Sequence, residues 1–177
     1  MKKIIIISSS PRENSNSYNL CLAFQKGAES VGNQVELVRI KDHNIGFCTG
    51  CYSCHKTGKC FQKDDGNMLA EKVLNADVVV LATPVYFYTM SAQLKVFLDR
   101  LTPFYEQLEG KEVYVIATAW DPDTKNLELT AESIRGATRD CWGAVEKGVL
   151  LVGGADAPGD TLKMKEYQTA YEMGKNC

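Results

Sequence analysis

Ile4-Ile5-Ile6-Ile7-Ser8-Ser9-Ser10-Pro11-Arg12, followed by Asn14-Ser15-Asn16-Ser17, is the stretch that decides the fold. Four consecutive β-branched residues mark a strand covered on both faces, and Pro11 stops it. Beyond the loop, Leu20, Phe24, Gly27 and Val31 recur at helical spacing, with Ser17 placed as the N-cap. The loop therefore opens onto a helix N-terminus, whose free N–H groups and partial positive charge suit an anion. Ser8, Ser9, Ser10, Arg12, Asn14, Ser15, Asn16 and Ser17 are the candidate anion-binding residues. Neither G-x-G-x-x-G nor G-x-x-x-x-G-K-[ST] is present, so a single phosphate monoester suits the loop better than a dinucleotide or a nucleoside triphosphate. Ser and Asn also serve as ordinary loop and cap residues, and on this loop alone that alternative stays open.

The same change of period repeats along the chain. Apolar strands are expected at Val35–Ile40, Val78–Ala82, Val113–Ala117 and Val149–Val152. Between them lie helical stripes: Leu69, Val73 and Ala76; Leu94, Phe97, Leu98 and Leu101, capped by Ser91 and ended by Pro103; Ala131, Ile134, Thr138 and Cys141. Met164, Tyr167, Tyr171 and Gly174 give a last helix its inner face. A chain of 177 residues, 45% hydrophobic and 24% charged, suits one domain, residues 1–177, with a proper core. The formal charge of -2 and the scattered lysines argue against nucleic acid as a partner. No apolar run reaches membrane-spanning length, and the four-isoleucine run is too short for a signal peptide, so a cytoplasmic location is expected.

Five strands alternating with helices imply an α/β doubly wound sheet of parallel strands, helices on both faces. Without a dinucleotide turn, the expected strand order is 2-1-3-4-5, with the ligand crevice at the carboxyl ends of the first and third strands. The first end is the serine loop. The other is Thr83-Pro84-Val85-Tyr86-Phe87-Tyr88, three aromatics in a row that can wall in a planar ring or pack at a subunit interface. A monophosphate cradle beside an aromatic wall makes flavin mononucleotide (FMN) the economical ligand.

Ser9-Ser10-Pro11-Arg12 with Asn16-Ser17 resembles the G-S-P-R…G-N-[ST] phosphate loop of the NADPH-dependent FMN reductase and multimeric flavodoxin family, with Ser9 and Ser15 in place of glycines. Thr83 to Phe87, with Leu94-Lys95 and Phe97-Leu98-Asp99-Arg100, is similar to that family's flavin-ring loop and following helix. The resemblance covers nearly the whole chain and implies a flavodoxin-like fold. It assigns the FMN phosphate to Ser10, Arg12, Asn16 and Ser17, and the isoalloxazine to Pro84, Val85, Tyr86 and Phe87. Thr118-Ala119-Trp120-Asp121 resembles a third flavin-facing loop by position, or is an ordinary loop with a packed Trp. Lys95, Asp99 and Arg100 are expected in a structural ion-pair or capping role near that helix end rather than in catalysis.

Cys48-x2-Cys51-x2-Cys54-x5-Cys60 is close to the ferredoxin run without matching it. Three readings stay open: an iron–sulfur cluster, reduced or redox-labile thiols, or structural zinc with His55 as a substitute ligand. Spacing and position resemble the compact motif of iron-sulfur flavoproteins, which implies a four-iron, four-sulfur cluster. Cys21 and Cys141 are expected in the core. The family implies NAD(P)H as electron donor and a small acceptor such as a quinone, free flavin, or a nitro or azo compound. It also implies a homodimer or homotetramer. The alternative is an electron carrier that exchanges electrons with ferredoxin-like partners through the cysteine loop.

Overall fold

The computed structural model describes all 177 residues. In chain order the elements are β1 (Lys3–Ser8), α1 (Asn16–Ser30), β2 (Gln34–Arg39), the one-turn α2 (Cys54–Thr57) and α3 (Gly66–Leu74). They continue with β3 (Val78–Tyr86), β4 (Thr89–Met90), α4 (Ala92–Arg100), β5 (Glu112–Thr118), α5 (Glu128–Thr138), β6 (Val145–Val152) and α6 (Lys165–Lys175). The sheet runs β2-β1-β3-β5-β6, with these strands parallel throughout. Counting only those five, the order is the expected 2-1-3-4-5.

The isoleucine run behaves as a strand covered on both sides must. Ile4 and Ile6 join Leu20, Phe24 and Ala170 under α1 and α6, while Ile5 and Ile7 join Leu69, Val73, Leu94 and Phe97 under α3 and α4. One face alone would have shown alternation; two faces require the continuous apolar run.

Five local expectations are corrected. Ser15, not Ser17, caps α1: its Oγ accepts from the Tyr18 N–H at 3.3 Å, and Ser17 lies buried inside the first turn. Val31 follows the end of α1 and is exposed. Cys141 lies beyond α5 and is exposed, because α5 stops at Thr138, whereas Cys21 is in the core as expected. Burial pushes the Cys21 thiol up to about 12, so it stays protonated. β6 begins at Val145 rather than Val149; its first three residues are exposed, and Glu146 and Lys147 among them are charged, which hides them from a search for apolar runs.

The fifth correction is that β3 continues through Thr83-Pro84 to Tyr86 and folds back through Phe87-Tyr88 into the antiparallel β4. Both turn residues have positive φ, +47° and +65°, the geometry of a two-residue hairpin that normally selects Asn-Gly. Aromatic side chains are strained in that region, and Phe87 is fully exposed at the tip.

Two close approaches fix the rest. Gly27 of α1 faces the Tyr171 carbonyl of α6, and Gly174 of α6 faces the Phe24 carbonyl of α1, so neither helix has room for a Cβ at its crossing point. The long segment between β2 and α3 is tied to α4 by Arg100, a buried guanidinium forked onto Asp64 at 2.6 and 2.8 Å and bonded to the Gly46 carbonyl at 2.7 Å. Lys95 and Asp99 form an exposed pair one turn apart.

Gly27→Ala or Gly174→Ala should each destabilise the fold by about 1–3 kcal/mol through overpacking, read as a lower urea midpoint. Asp64 is held down to about 2, chiefly by Arg100, then by the Gly46 and Gly66 N–H groups. A lowered folded-state value means the unfolded chain takes up the proton first, so this stabilisation is complete above about pH 4 and is lost as pH falls toward 2. Asp64→Asn should be less stable at neutral pH and show a shallower fall over that range in urea titrations.

Candidate functional site

β1, β3, β5 and β6 all end at the same edge of the sheet, and a cleft of about 200 Å³ opens there. Its first wall is Ser10, Arg12, Ser15, Asn16 and Ser17; its second is Pro84, Val85 and Tyr86; its third is Thr118, Ala119 and Trp120. Three of the loops expected from sequence are thus brought together. A fourth contribution, Ala155 and Asp156 from the loop after β6, was not among the expected residues. Its signal was present: Gly153-Gly154 directly follows a strand whose carboxyl end must lie at this edge.

Five of the expected residues do not reach the cleft wall. Ser8 is buried in the sheet end with its Oγ unpartnered. Ser9 welds loops together: its N–H and Oγ–H both donate to the Ala82 carbonyl, at 3.0 and 2.9 Å, and its Oγ accepts from Ser91 at 2.9 Å. Ser91 in turn caps α4 and donates its N–H to Thr83 Oγ1 at 2.9 Å. Asn14 accepts from Asn19 in a left-handed turn. Phe87 projects into solvent, and Asp121 accepts from the Asp123 N–H and the Asn126 amide within its own loop.

Asn16 lines the cleft, but its side chain is spent elsewhere. Its Nδ2 donates to the Ala157 carbonyl at 3.0 Å, and its Oδ1 accepts from the Gly159 and Thr161 N–H groups at 3.1 and 3.2 Å. It thereby fixes the loop that carries Ala155 and Asp156 against the start of α1.

The polar wall carries unspent donors. Asn16 and Ser17 open α1, so their N–H groups have no intrahelical acceptor. Ser17 Oγ is buried with no partner. Arg12 forms no ion pair, although three other charged groups stand nearby: Glu13 is held by Arg39 at 3.0 Å and by Lys41, and Arg39 also stacks over Tyr18, 4.4 Å from its ring centre. These pairings hold the exposed Glu13 carboxyl below its usual value and leave Arg12 as the unpaired cation of the cleft. A helix start, the hydroxyls of the buried Ser10, Ser15 and Ser17 and a free guanidinium beside an apolar wall can bind a phosphate joined to a flat ring.

Cys48, Cys51, Cys54 and Cys60 line a second, much smaller depression of about 30 Å³, together with Phe61 and Arg100. Gly50 and Tyr52 both take left-handed φ, +65° and +56°, which winds this loop tightly. Asn67 at the start of α3 grips Cys60 through both backbone groups, at 3.1 and 2.8 Å. No three His, Cys, Asp or Glu side chains of the chain converge on one metal-ion position. All seven cysteines are unpaired.

Among known proteins, an iron-sulfur flavoprotein of Archaeoglobus fulgidus is 34% identical over 177 residues, covering 97% of this chain and 77% of its own. An iron-sulfur flavoprotein of Methanocaldococcus jannaschii is 37% identical over 101 residues, 57% of this chain and 52% of its own. The chain thus spans between about half and three quarters of the length of these curated relatives. An NAD(P)H:quinone oxidoreductase from Methanothermobacter marburgensis superposes with a TM-score of 0.76 at 18% identity, covering 99% of this chain and 96% of that one, a likeness of fold alone. The fold is flavodoxin-like. The sequence profile of NADPH-dependent FMN reductases matches residues 2–130, and with that span added to the sheet order and the near full-length relative, the chain belongs to the NADPH-dependent FMN reductase family.

Proposed function

We propose that residues 1–177 form one FMN-binding domain that passes electrons from NAD(P)H to a small acceptor: a quinone, free flavin, or a nitro or azo compound. The observation that carries this reading is the buried, unpartnered Ser17 hydroxyl at a helix start that shares one cleft with Pro84, Val85 and Tyr86. Ser10, Ser15 and Ser17 would donate O–H groups to the phosphate. Ser15 can do so while capping α1, since its oxygen accepts from Tyr18 and its proton stays free. Arg12 supplies the charge, and Asn16 contributes its backbone N–H and holds the Ala155-Asp156 loop in place. Pro84, Val85, Tyr86 and Trp120 offer flat and apolar surfaces that exclude water from the ring. When bound, the flavin supplies the redox chemistry, while the protein supplies binding, orientation and electrostatics.

A second reading is favoured by one observation, the four cysteines on a common depression. Cysteine thiolates at this spacing suit an iron–sulfur cluster, and the protein would then carry electrons between ferredoxin-like partners and FMN. Seven unpaired cysteines fit a reducing, cytoplasmic compartment, and no helix is long and apolar enough to cross a membrane. The exposed aromatics Phe47, Tyr52, Phe61, Phe87 and Tyr88 support a homodimer or homotetramer.

Ser17→Ala and Arg12→Ala should each weaken FMN roughly tenfold or more, the loss of one hydrogen bond to a charged group, while riboflavin, lacking the phosphate, binds as before. Equal losses for both flavins in fluorescence titrations would remove the phosphate assignment. Steady NADPH or NADH oxidation by the purified flavoprotein supports the reductase. Reduction by ferredoxin alone, with about four irons per chain, supports the carrier. Light scattering at micromolar concentration should give at least a dimer; a monomer removes the interface reading.

A further inference from the structure

Arg100 does more than tie loops together. Its side chain is 1% exposed; Nη1 donates to Asp64, Gly46 and Gln62, and Nη2 donates to Asp64. Its Nε–H is equally buried yet has no acceptor. Buried donors without partners are few in folded proteins, and each asks for a reason. The same residue lines the depression shared by Cys48, Cys51, Cys54 and Cys60. Gly66 leaves the room this needs, since a Cβ there would press on the guanidinium.

We infer that Arg100 is a positioning residue for the centre the four cysteines hold, with its free Nε–H donating to a cysteine or inorganic sulfur of that centre. The inference rests on the iron–sulfur reading of the cysteines. A cluster couple takes up one electron and gains one negative charge, so a donor aimed at its sulfur stabilises the reduced form more than the oxidised form and raises the potential. Asp64 sets the size of the effect by cancelling most of the guanidinium charge while leaving the donor in place. Lys at this position would keep the charge but lose the fixed fork that points one N–H away from Asp64.

The test uses the full-length protein, loaded anaerobically with iron and sulfide, assayed for both, and then titrated with dithionite while the cluster signal is followed. Wild type should hold about four irons per chain. Arg100→Lys, at equal iron content, should have a lower midpoint potential. Asp64→Asn should move it upward, because the guanidinium charge is no longer balanced; a residue that merely braced the loop would shift both variants the same way. An unchanged potential in Arg100→Lys, or a downward shift in Asp64→Asn, overturns the inference, and Asp64→Asn decides alone where Arg100→Lys does not fold. Wild type that takes up no iron fails earlier, at the metal assay, and removes the iron–sulfur reading and this inference together.

Discussion

A strand covered by helices on both faces has no place for a polar side chain until it ends. That constraint organises this protein. Ile4 to Ile7 and Val78 to Ala82 are buried to within a few per cent, and the first hydroxyls after each run meet at one edge. Parallel strands all end on the same side, so the helix starts, the polar loops and their unpaired N–H groups collect there. The cleft follows from the packing of the core, with no element set aside to build it.

Holding four loops at that edge requires bonds that run between them. Ser9, Ser91 and Thr83 join the loop after β1 to the end of β3 and the start of α4. Asn16 joins the start of α1 to the loop after β6. The groups that face the cleft are therefore left with few duties toward the protein, and the groups that hold it together face inward. The depression under the cysteines repeats the arrangement: Asn67 and Arg100 grip its frame, and the thiols remain uncommitted.

How much of this could be read from the residues depends on the range of the interaction. Burial on both faces is written locally as an unbroken β-branched run, so the sheet, its order and the two principal loops were legible. The division of labour among Ser8, Ser9, Ser10, Ser15 and Ser17 was not, because one Ser looks like another until the neighbouring strand is in place. Asn16 reads as a phosphate ligand in sequence; its partners at Ala157, Gly159 and Thr161 are more than 140 positions away. Asp156 escaped for the same reason. The displacement of the α1 cap from Ser17 to Ser15 reflects a shorter-range ambiguity, since either Ser could have supplied the cap.

The hairpin at Phe87-Tyr88 bears on how this surface could change over evolutionary time. Its backbone shape is one that Asn-Gly adopts without strain, so replacing the two aromatics would relax the turn and strengthen the fold. A chain selected for folding stability alone would drift toward that replacement. Two bulky side chains in left-handed geometry, one of them wholly in solvent, leave the tip as a point where this fold carries strain that its own packing does not require.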